Sequence, residues 1–281
     1  MNDELIKKDY STKIKKIQKL NKAYYQENNS IVTDQEYDLL KKQIIDLEKK
    51  YLFLKSKHSP TVSIGFKPSK NFEKVRHKVP MLSLGNAFNE EDLKNFEKKL
   101  FNFLSLNKIS VVDYSAEPKI DGISASLIYI NGKFIKGLSR GDGVEGEDIT
   151  ENLKTIKDIP QNVSAKNFPN EIDIRGEVFI ENDDFKKISE KFANPRNAAS
   201  GSLRQKDHNV TAKIPLKFIA YTFGYISEMK INNQTEFLEN LKVWGFKTNP
   251  FNKKISGIKN LMSNHKNLEE KRKEIAFDID G

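Results

Sequence analysis

A lysine flanked by acids and followed by glycine is the feature of this sequence with the clearest capacity for chemistry. Residues 117–122 read Glu-Pro-Lys-Ile-Asp-Gly, and Glu117 and Asp121 each stand two positions from Lys119. In an extended segment these three side chains lie on one side of the backbone. A deprotonated lysine is a nucleophile that can form a covalent intermediate. Flanking acids normally keep an ammonium protonated, so the motif alone favours an ion pair at a strand end.

Two further residues in the same half of the chain have side chains suited to a nucleotide. Arg140 opens an Arg-Gly-Asp-Gly turn and is suited to binding a phosphate, although an ordinary Asp-Gly turn with a solvated arginine fits equally well. Glu177 follows Gly176, and a glycine there would let a flat ligand approach the backbone while the carboxylate holds ribose hydroxyls. The alternative for Glu177 is an exposed strand acid, the commoner fate of a single glutamate.

Residues 194–205 combine small side chains with two arginines, Arg196 and Arg204. This composition suits the close approach of a phosphate backbone. A surface loop with two free arginines is the simpler interpretation.

Another candidate site lies near the N-terminus. Asp34, Tyr37 and Asp38 follow the i, i+3, i+4 spacing that places side chains on one helix face. Two carboxylates and a ring would suit a cationic ring such as nicotinamide, and Tyr24 and Tyr25 add stacking surface. The structural alternative is that acids favour a helix's first turn and that Tyr37 packs as a hydrophobic staple.

Hydrophobic periodicity predicts the helices that carry this N-terminal candidate site. Apolar residues spaced by three and four predict a helix over residues 4–27. A capping box, with Thr33 as N-cap and Glu36 at the third helical position, starts a second helix that ends near Tyr51. Proline and glycine between residues 60 and 68 indicate a linker, and we place the domain boundary near Lys67.

Beyond that boundary the pattern is mixed. Asn89 predicts the start of a helix over roughly 89–104, and Asn131-Gly132 predicts a hairpin that pairs residues 123–130 with 133–139. Alternation predicts further strands at 171–180 and 216–225, with short helices at 182–192 and 234–244.

Composition limits the classes of function. The 281 residues contain no cysteine and four scattered histidines without ligand spacing, so we expect no structural metal site. A net charge of +9 suits a polyanionic partner, but a compositional bias toward lysine explains it as well. The sequence shows no membrane span and no signal-peptide pattern, so we expect a cytoplasmic protein without membrane contact.

Together these segments resemble the N-terminal part of bacterial NAD-dependent DNA ligases. The resemblance spans the chain and keeps the family's motif order. It rests on Tyr24-Tyr25, Asp34-Gln35-Glu36-Tyr37-Asp38, Ser59-Pro60-Thr61, Pro80-Met81-Leu82-Ser83-Leu84, Glu117-Pro118-Lys119-Ile120-Asp121-Gly122, Arg140-Gly141-Asp142-Gly143, Gly176-Glu177-Val178-Phe179 and Asn194-Pro195-Arg196-Asn197-Ala198-Ala199.

The resemblance implies an α+β fold in two domains. Residues 1–67 would form a small helical domain that binds the nicotinamide mononucleotide half of NAD. Residues 68–281 would form a nucleotidyltransferase (adenylation) domain of antiparallel β-sheets flanked by helices.

It also implies a reaction and a set of site residues. Lys119 would attack the α-phosphate of NAD to form an AMP-lysine, and the AMP would later pass to the 5′-phosphate of nicked double-stranded DNA in replication and repair. Mg²⁺ would assist, and we expect a monomer. The resemblance assigns cofactor contacts to Tyr24, Tyr25, Asp34, Glu36, Tyr37, Asp38, Ser83, Leu84, Glu117, Arg140, Glu177, Arg196 and Arg204.

The sequence departs from the family pattern in two places. Tyr25 stands where relatives often carry histidine, which preserves stacking but removes an imidazole hydrogen bond. Residues 277–281 lead toward a later motif whose lysines this sequence lacks. We therefore expect a fragment that does not seal nicks alone and whose self-adenylation is slowed.

Two other interpretations stay open. An ATP-using ligase or capping-type nucleotidyltransferase would share the Lys-x-Asp-Gly core, but its anionic leaving group does not suit the acidic face at residues 34–38. A non-catalytic DNA-binding module is the other, and the joint presence of Lys119, Arg140 and Glu177 argues against it.

Overall fold

The structure, a computed structural model, describes residues 3–26, 32, 34–54, 59, 72–106, 111–228 and 230–281. Within the described ranges the helices are α1 (Asp3–Gln26), α2 (Asp34–Lys50), α3 (Glu90–Phe103), α4 (Thr150–Lys154), α5 (Asn182–Lys186), α6 (Pro195–Leu203), α7 (His208–Thr211), α8 (Gln234–Val243) and α9 (Ile258–Glu270). The strands are β1 (Lys74–Arg76), β2 (Asp113–Ala116), β3 (Ile123–Ile130), β4 (Lys133–Ser139), β5 (Glu145–Glu147), β6 (Glu171–Phe179), β7 (Lys217–Ile226) and β8 (Lys253–Ser256).

Helices α1 and α2 pack on each other through the apolar stripes that the spacing predicted. Their shared core contains Ile6, Ile17 and Ile44, and the buried Tyr10 hydroxyl donates to a Glu48 carboxylate at 2.6 Å. Both predicted helices are therefore confirmed. The predicted N-cap at Thr33 and the predicted boundary near Lys67 lie outside the described residues.

A four-stranded antiparallel sheet in the order β4-β3-β6-β7 forms the centre of the remaining chain. The predicted hairpin is confirmed: Asn131 and Gly132 both adopt positive φ angles, 48° and 74°, as the tight turn between β3 and β4 requires. β6 and β7 confirm the other two predicted strands, and β1-β5 and β2-β8 form two separate two-stranded antiparallel sheets.

The main core lies under this sheet, where α4, α6 and α8 cover apolar residues such as Leu127, Ile174 and Phe218. The interpretation of residues 194–205 as a surface loop is wrong, because most of α6 is buried. Asn194 caps this helix by accepting from the Asn197 amide, and Pro195 occupies its first turn. Its small residues, including Ala198 and Ala199, let it pack closely against the sheet. No helix within the described ranges is long and apolar enough to cross a lipid bilayer.

Candidate active site

Lys119 lies where two chain segments 161 residues apart run side by side. Its amide donates to the Gly281 carbonyl at 2.7 Å, and the Asp280 amide donates to the Lys119 carbonyl at 3.0 Å. Ile120 and Ile279 form an antiparallel bridge between the segments, and both side chains are buried. The backbone of Lys119 is therefore fixed, whereas its side chain is 46% exposed and accessible.

The Lys119 amine binds the carboxylate of Asp280, with Nζ 2.5 Å from both oxygens. The Asp280 side chain is 13% exposed. Asp280 is not among the predicted site residues. Its signal in the sequence is the alternation at 277–280, where Phe277 and Ile279 are buried and Asp278 and Asp280 stand between and after them.

Gly122 explains why the lysine motif ends in glycine. A Cβ at this position would lie 2.3 Å from the Val178 carbonyl oxygen and 2.9 Å from Cγ of Glu177. The absent side chain lets the motif lie directly against β6, which brings Lys119 close to Glu177.

Asp121 and Arg196 form an ion pair in which Nη1 donates to Oδ1 at 2.5 Å. Burial and the carboxylate of Asp280 raise the pKa of Asp121 to about 6, while Lys119 acts in the opposite direction. Burial lowers the pKa of Arg196 to about 10. The positive charge of Arg272 also acts on Asp121, although Arg272 is not in the predicted set.

Glu177 is buried in β6, so the interpretation as an exposed strand acid is wrong. Ser124, its partner across β3, donates to the carboxylate at 2.9 Å. Burial raises the pKa of Glu177 to about 8, and Ser124, Lys119 and Arg140 act in the opposite direction. The charges of Lys119 and Arg140 both act on Glu177, so these three residues, far apart in sequence, lie near one another.

Gly176 has a different role from the predicted one. A Cβ here would lie 2.2 Å from Cζ of Phe218, a ring in the main core. The glycine therefore makes room for a core side chain and not for a flat ligand.

The turn that follows Arg140 is an ordinary Asp-Gly turn, as one of the two interpretations proposed. Asp142 accepts from the amides of Val144 and Glu145 at 2.9 and 2.8 Å. The Arg140 carbonyl lies 3.2 Å from Nε2 of the buried His77. The Arg140 charge also acts on Glu177, so the turn begins beside this buried acid.

Two polar side chains bind the Glu117 carboxylate. Ser115 and Gln234, the first residue of α8, each donate to its carboxylate at 2.9 Å. Burial raises its pKa. The three polar side chains of the lysine motif thus take different partners, with Lys119 bound to Asp280 and Asp121 to Arg196.

Asp38 connects the helix pair to this cluster. Its carboxylate accepts a hydrogen bond from Asn86 and lies within electrostatic range of Lys119 and Asp280, and burial raises its pKa. Glu36 is exposed on the same helix. The Tyr37 hydroxyl donates to Asn21 at 2.8 Å, and its ring packs on the core of the helix pair, as the structural alternative predicted.

The remaining predicted residues are less closely tied to Lys119. Ser83 and Leu84 lie on an exposed loop that also carries Asn86. Arg204 pairs with Glu147, whose side chain is 1% exposed, at 3.2 Å, so neither arginine of the 194–205 segment is free. The side chains of Tyr24, Tyr25 and Asp34 lie outside the described part of the chain.

The assembled cluster contains the Lys119 amine, several acids and the arginines Arg140, Arg196 and Arg272. Such an arrangement is suited to phosphoryl transfer, which needs a positioned nucleophile and cations near the phosphate charge. Within the described ranges, no group of three or more His, Asp or Glu side chains could hold a metal ion.

Two family models match the chain. One, described as NAD-dependent DNA ligase adenylation domain, covers residues 69–281, and the other, described as DNA ligase-like, N-terminal NAD+-binding domain, covers residues 4–65.

Individual proteins show the same similarity. The chain is 75% identical to a DNA ligase of Pelagibacter ubique over 281 residues, which is all of this chain and 42% of that protein. It is 43% identical to a DNA ligase of Parvibaculum lavamentivorans, with 94% of this chain and 38% of that protein covered. A DNA ligase of Bradyrhizobium diazoefficiens is 44% identical over 92% of this chain and 37% of its own length. The chain thus spans about two fifths of the length of these relatives.

Proposed function

We propose that this chain, which belongs to the family of NAD-dependent DNA ligase adenylation domains, transfers the AMP half of NAD to its own Lys119. The observation that supports this most directly is the position of Asp38, which lies within electrostatic range of Lys119 and Asp280. An acidic helix face next to the amine offers a place for the cationic nicotinamide half beside the nucleophile.

In the proposed step, Nζ of Lys119 forms a bond to the α-phosphorus of NAD. The bond from that phosphorus to the bridging oxygen breaks, and nicotinamide mononucleotide leaves with this oxygen. The attacking amine must first lose a proton, and the Asp280 carboxylate, 2.5 Å away, is placed to accept it.

The surrounding residues would position the dinucleotide. We assign Arg140 and Arg196 to the phosphates, because both are cations beside the Lys119 cluster. We assign Glu177 to the ribose hydroxyls, and we assign Glu117 to the NAD-contacting set without a specific atom. Glu36, Tyr37, Ser83 and Leu84 would contribute the outer contacts of the nicotinamide half.

Intact-mass analysis after incubation with NAD tests the nucleophile. Wild-type protein should gain the mass of one AMP moiety, and Lys119→Ala should gain none. Lys133→Ala is the matched control, because Lys133 is an exposed lysine on the nearby hairpin and should be labelled like wild type. Labelling of Lys119→Ala would contradict the assignment.

The same assay with ATP in place of NAD tests the cofactor. We expect labelling with NAD only, since pyrophosphate is an anion and the Asp38 face is acidic. Equal labelling by ATP would favour the ATP-using alternative.

The wider role follows from the family. We infer that the AMP passes to the 5′-phosphate of nicked DNA during replication and repair in the cytoplasm, that the protein acts as a monomer, and that residues 1–67 and 68–281 are its two domains. Mg²⁺ would enter with the NAD phosphates, since it is commonly held by one or two carboxylates plus substrate phosphates.

A further inference from the structure

One face of α2 contacts the segment 86–92 at two points. Asp38 accepts a hydrogen bond from Asn86. One helical turn later, Nζ of Lys42 lies 3.4 Å from Oδ2 of Asp92 and 4.7 Å from the centroid of the Phe88 ring. Residues spaced by four lie on the same helix face, so Lys42 and Asp38 move together whenever α2 moves.

The receiving side of this contact is held in place. Oδ2 of Asp92 accepts from the Phe88 amide at 3.0 Å, and the Asp92 amide donates to the Asn89 side chain at 2.9 Å. The first of these hydrogen bonds lowers the pKa of Asp92, which keeps the carboxylate ionised. Asp92 also lies in the first turn of α3, where the helix dipole favours negative charge. Segment 86–92 therefore presents a fixed carboxylate, Asp92, and an aromatic ring, Phe88, to the facing side chains of α2.

We propose that Lys42, Phe88 and Asp92 form a latch that positions Asp38 beside Lys119 and thereby sets how well the nicotinamide half of NAD is captured. This inference rests on the proposed function, because it names the contact that brings α2, the helix proposed to bind nicotinamide, to Lys119. Lys42 and Asp92 are positioning residues, since they act through Asp38.

The exposure of the latch suits a contact that opens and closes. The side chains of Lys42 and Asp92 are 40% and 30% exposed. Ion pairs and cation–π contacts at such exposure are individually weak. Under the proposed function, the nicotinamide half binds at the α2 face and leaves from it, so a weak latch would hold the helix without trapping NAD or nicotinamide mononucleotide.

Charge reversal with NAD-dependent adenylation as readout is the first test. We expect Lys42→Glu and Asp92→Lys each to raise the NAD concentration for half-maximal rate about tenfold, with little change in the maximal rate. The double variant restores the pair in reverse and should recover to within about threefold of wild type. Lys94→Glu is the control, because it makes the same charge change on α3 while its partner Glu90 lies within that helix.

Two outcomes would overturn the latch. In one, both single variants keep the wild-type dependence on NAD. In the other, the double variant is impaired as much as the two single variants combined, which would show that the charges do not interact.

A distance measurement tests the latch without any reaction. The chain contains no cysteine, so Lys49→Cys on α2 and Lys98→Cys on α3 give a unique pair of spin labels at exposed positions. We expect a longer and broader distance distribution in Lys42→Glu and in Asp92→Lys, and recovery in the double variant. An unchanged distribution in both single variants would refute the latch. If wild type is not adenylated by NAD, the proposed function fails, but this measurement still decides whether the latch exists.

Discussion

The four-stranded sheet and the α1–α2 helix pair hold their charged residues in different ways. In the sheet, Arg175 and Asp173 form an ion pair whose side chains are 8% and 7% exposed, and Arg175 also donates to the carbonyls of Val79 and Pro80. In the helix pair, Glu48 is buried against Tyr10. The two charged residues that contact the neighbouring segment, Asp38 and Lys42, lie closer to solvent, and the Lys42 side chain is 40% exposed.

This difference divides the site into a rigid part and an adjustable part. Backbone pairing and burial fix the groups around Lys119 before any ligand arrives, which is the condition for electrostatic preorganisation. Exposed side-chain contacts hold Asp38, and such contacts break at small cost. The region proposed for chemistry is therefore rigid, and the region proposed to recognise the leaving group can move. Four predictions test this contrast.

The largest expected effect is on stability in the sheet. Arg175→Met should lower the free energy of unfolding by about 3–5 kcal/mol, because it leaves the Asp173 carboxylate buried without its cation. Urea unfolding would measure this. Lys186→Met is the control, since Lys186 forms an exposed ion pair with Asp183 and should change little. Equal losses in the two variants would contradict the contrast.

Close packing at the lysine motif gives the next effect. Gly122→Ala places a Cβ 2.3 Å from the Val178 carbonyl oxygen and should cost about 3 kcal/mol of stability. Adenylation should also fall, because the motif shifts relative to Glu177. Gly201→Ala is the control: its nearest atom is 3.6 Å away in Phe192, and the helix should tolerate or benefit from alanine. Normal stability of Gly122→Ala would show that the motif can move.

The buried acid of β6 should make stability depend on pH. The pKa of Glu177 is raised to about 8, so the folded state binds this proton more tightly than the unfolded chain does. The stability that the protonated form contributes is fully present below the ordinary value of 4.5 and is lost as pH rises through about 8.

Wild type should therefore lose about 2 kcal/mol of stability between about pH 6 and pH 9 from this group. Glu177→Gln, which carries no titrating proton, should lack that part of the loss. Thermal unfolding of both proteins across this range is the measurement, and parallel curves would argue against a buried titrating acid at this position.

The smallest effect is expected in the helix pair. Tyr37→Phe removes the hydrogen bond to Asn21 and should cost about 1 kcal/mol of stability. The ring stays, so the NAD dependence of adenylation should hardly change. Tyr37→Ala removes the ring as well and should impair both properties. A strong loss of NAD affinity in Tyr37→Phe would show that the hydroxyl binds the cofactor directly.

Local sequence was sufficient for most of the fold. The stripes of α1 and α2, the cap at Asn89 and the Asn131-Gly132 turn all depend on residues within a few positions of one another, and the structure confirms them. The helix at Pro195–Leu203 also has a local start signal, because Asn194 is its N-cap and Pro195 stands in its first turn. The segment's small side chains and two arginines are more typical of a surface loop, which is why the sequence favoured that interpretation.

The sequence by itself determined which elements form and which residue types are available for chemistry. Tertiary structure alone decided that Asp280 binds the amine of Lys119, that Gly176 makes room for Phe218, and that Asp38 reaches the cluster. The physical reason is the separation along the chain over which each kind of interaction acts. Backbone preferences act between neighbours in the chain, whereas pairing across 161 positions depends on how all the elements pack.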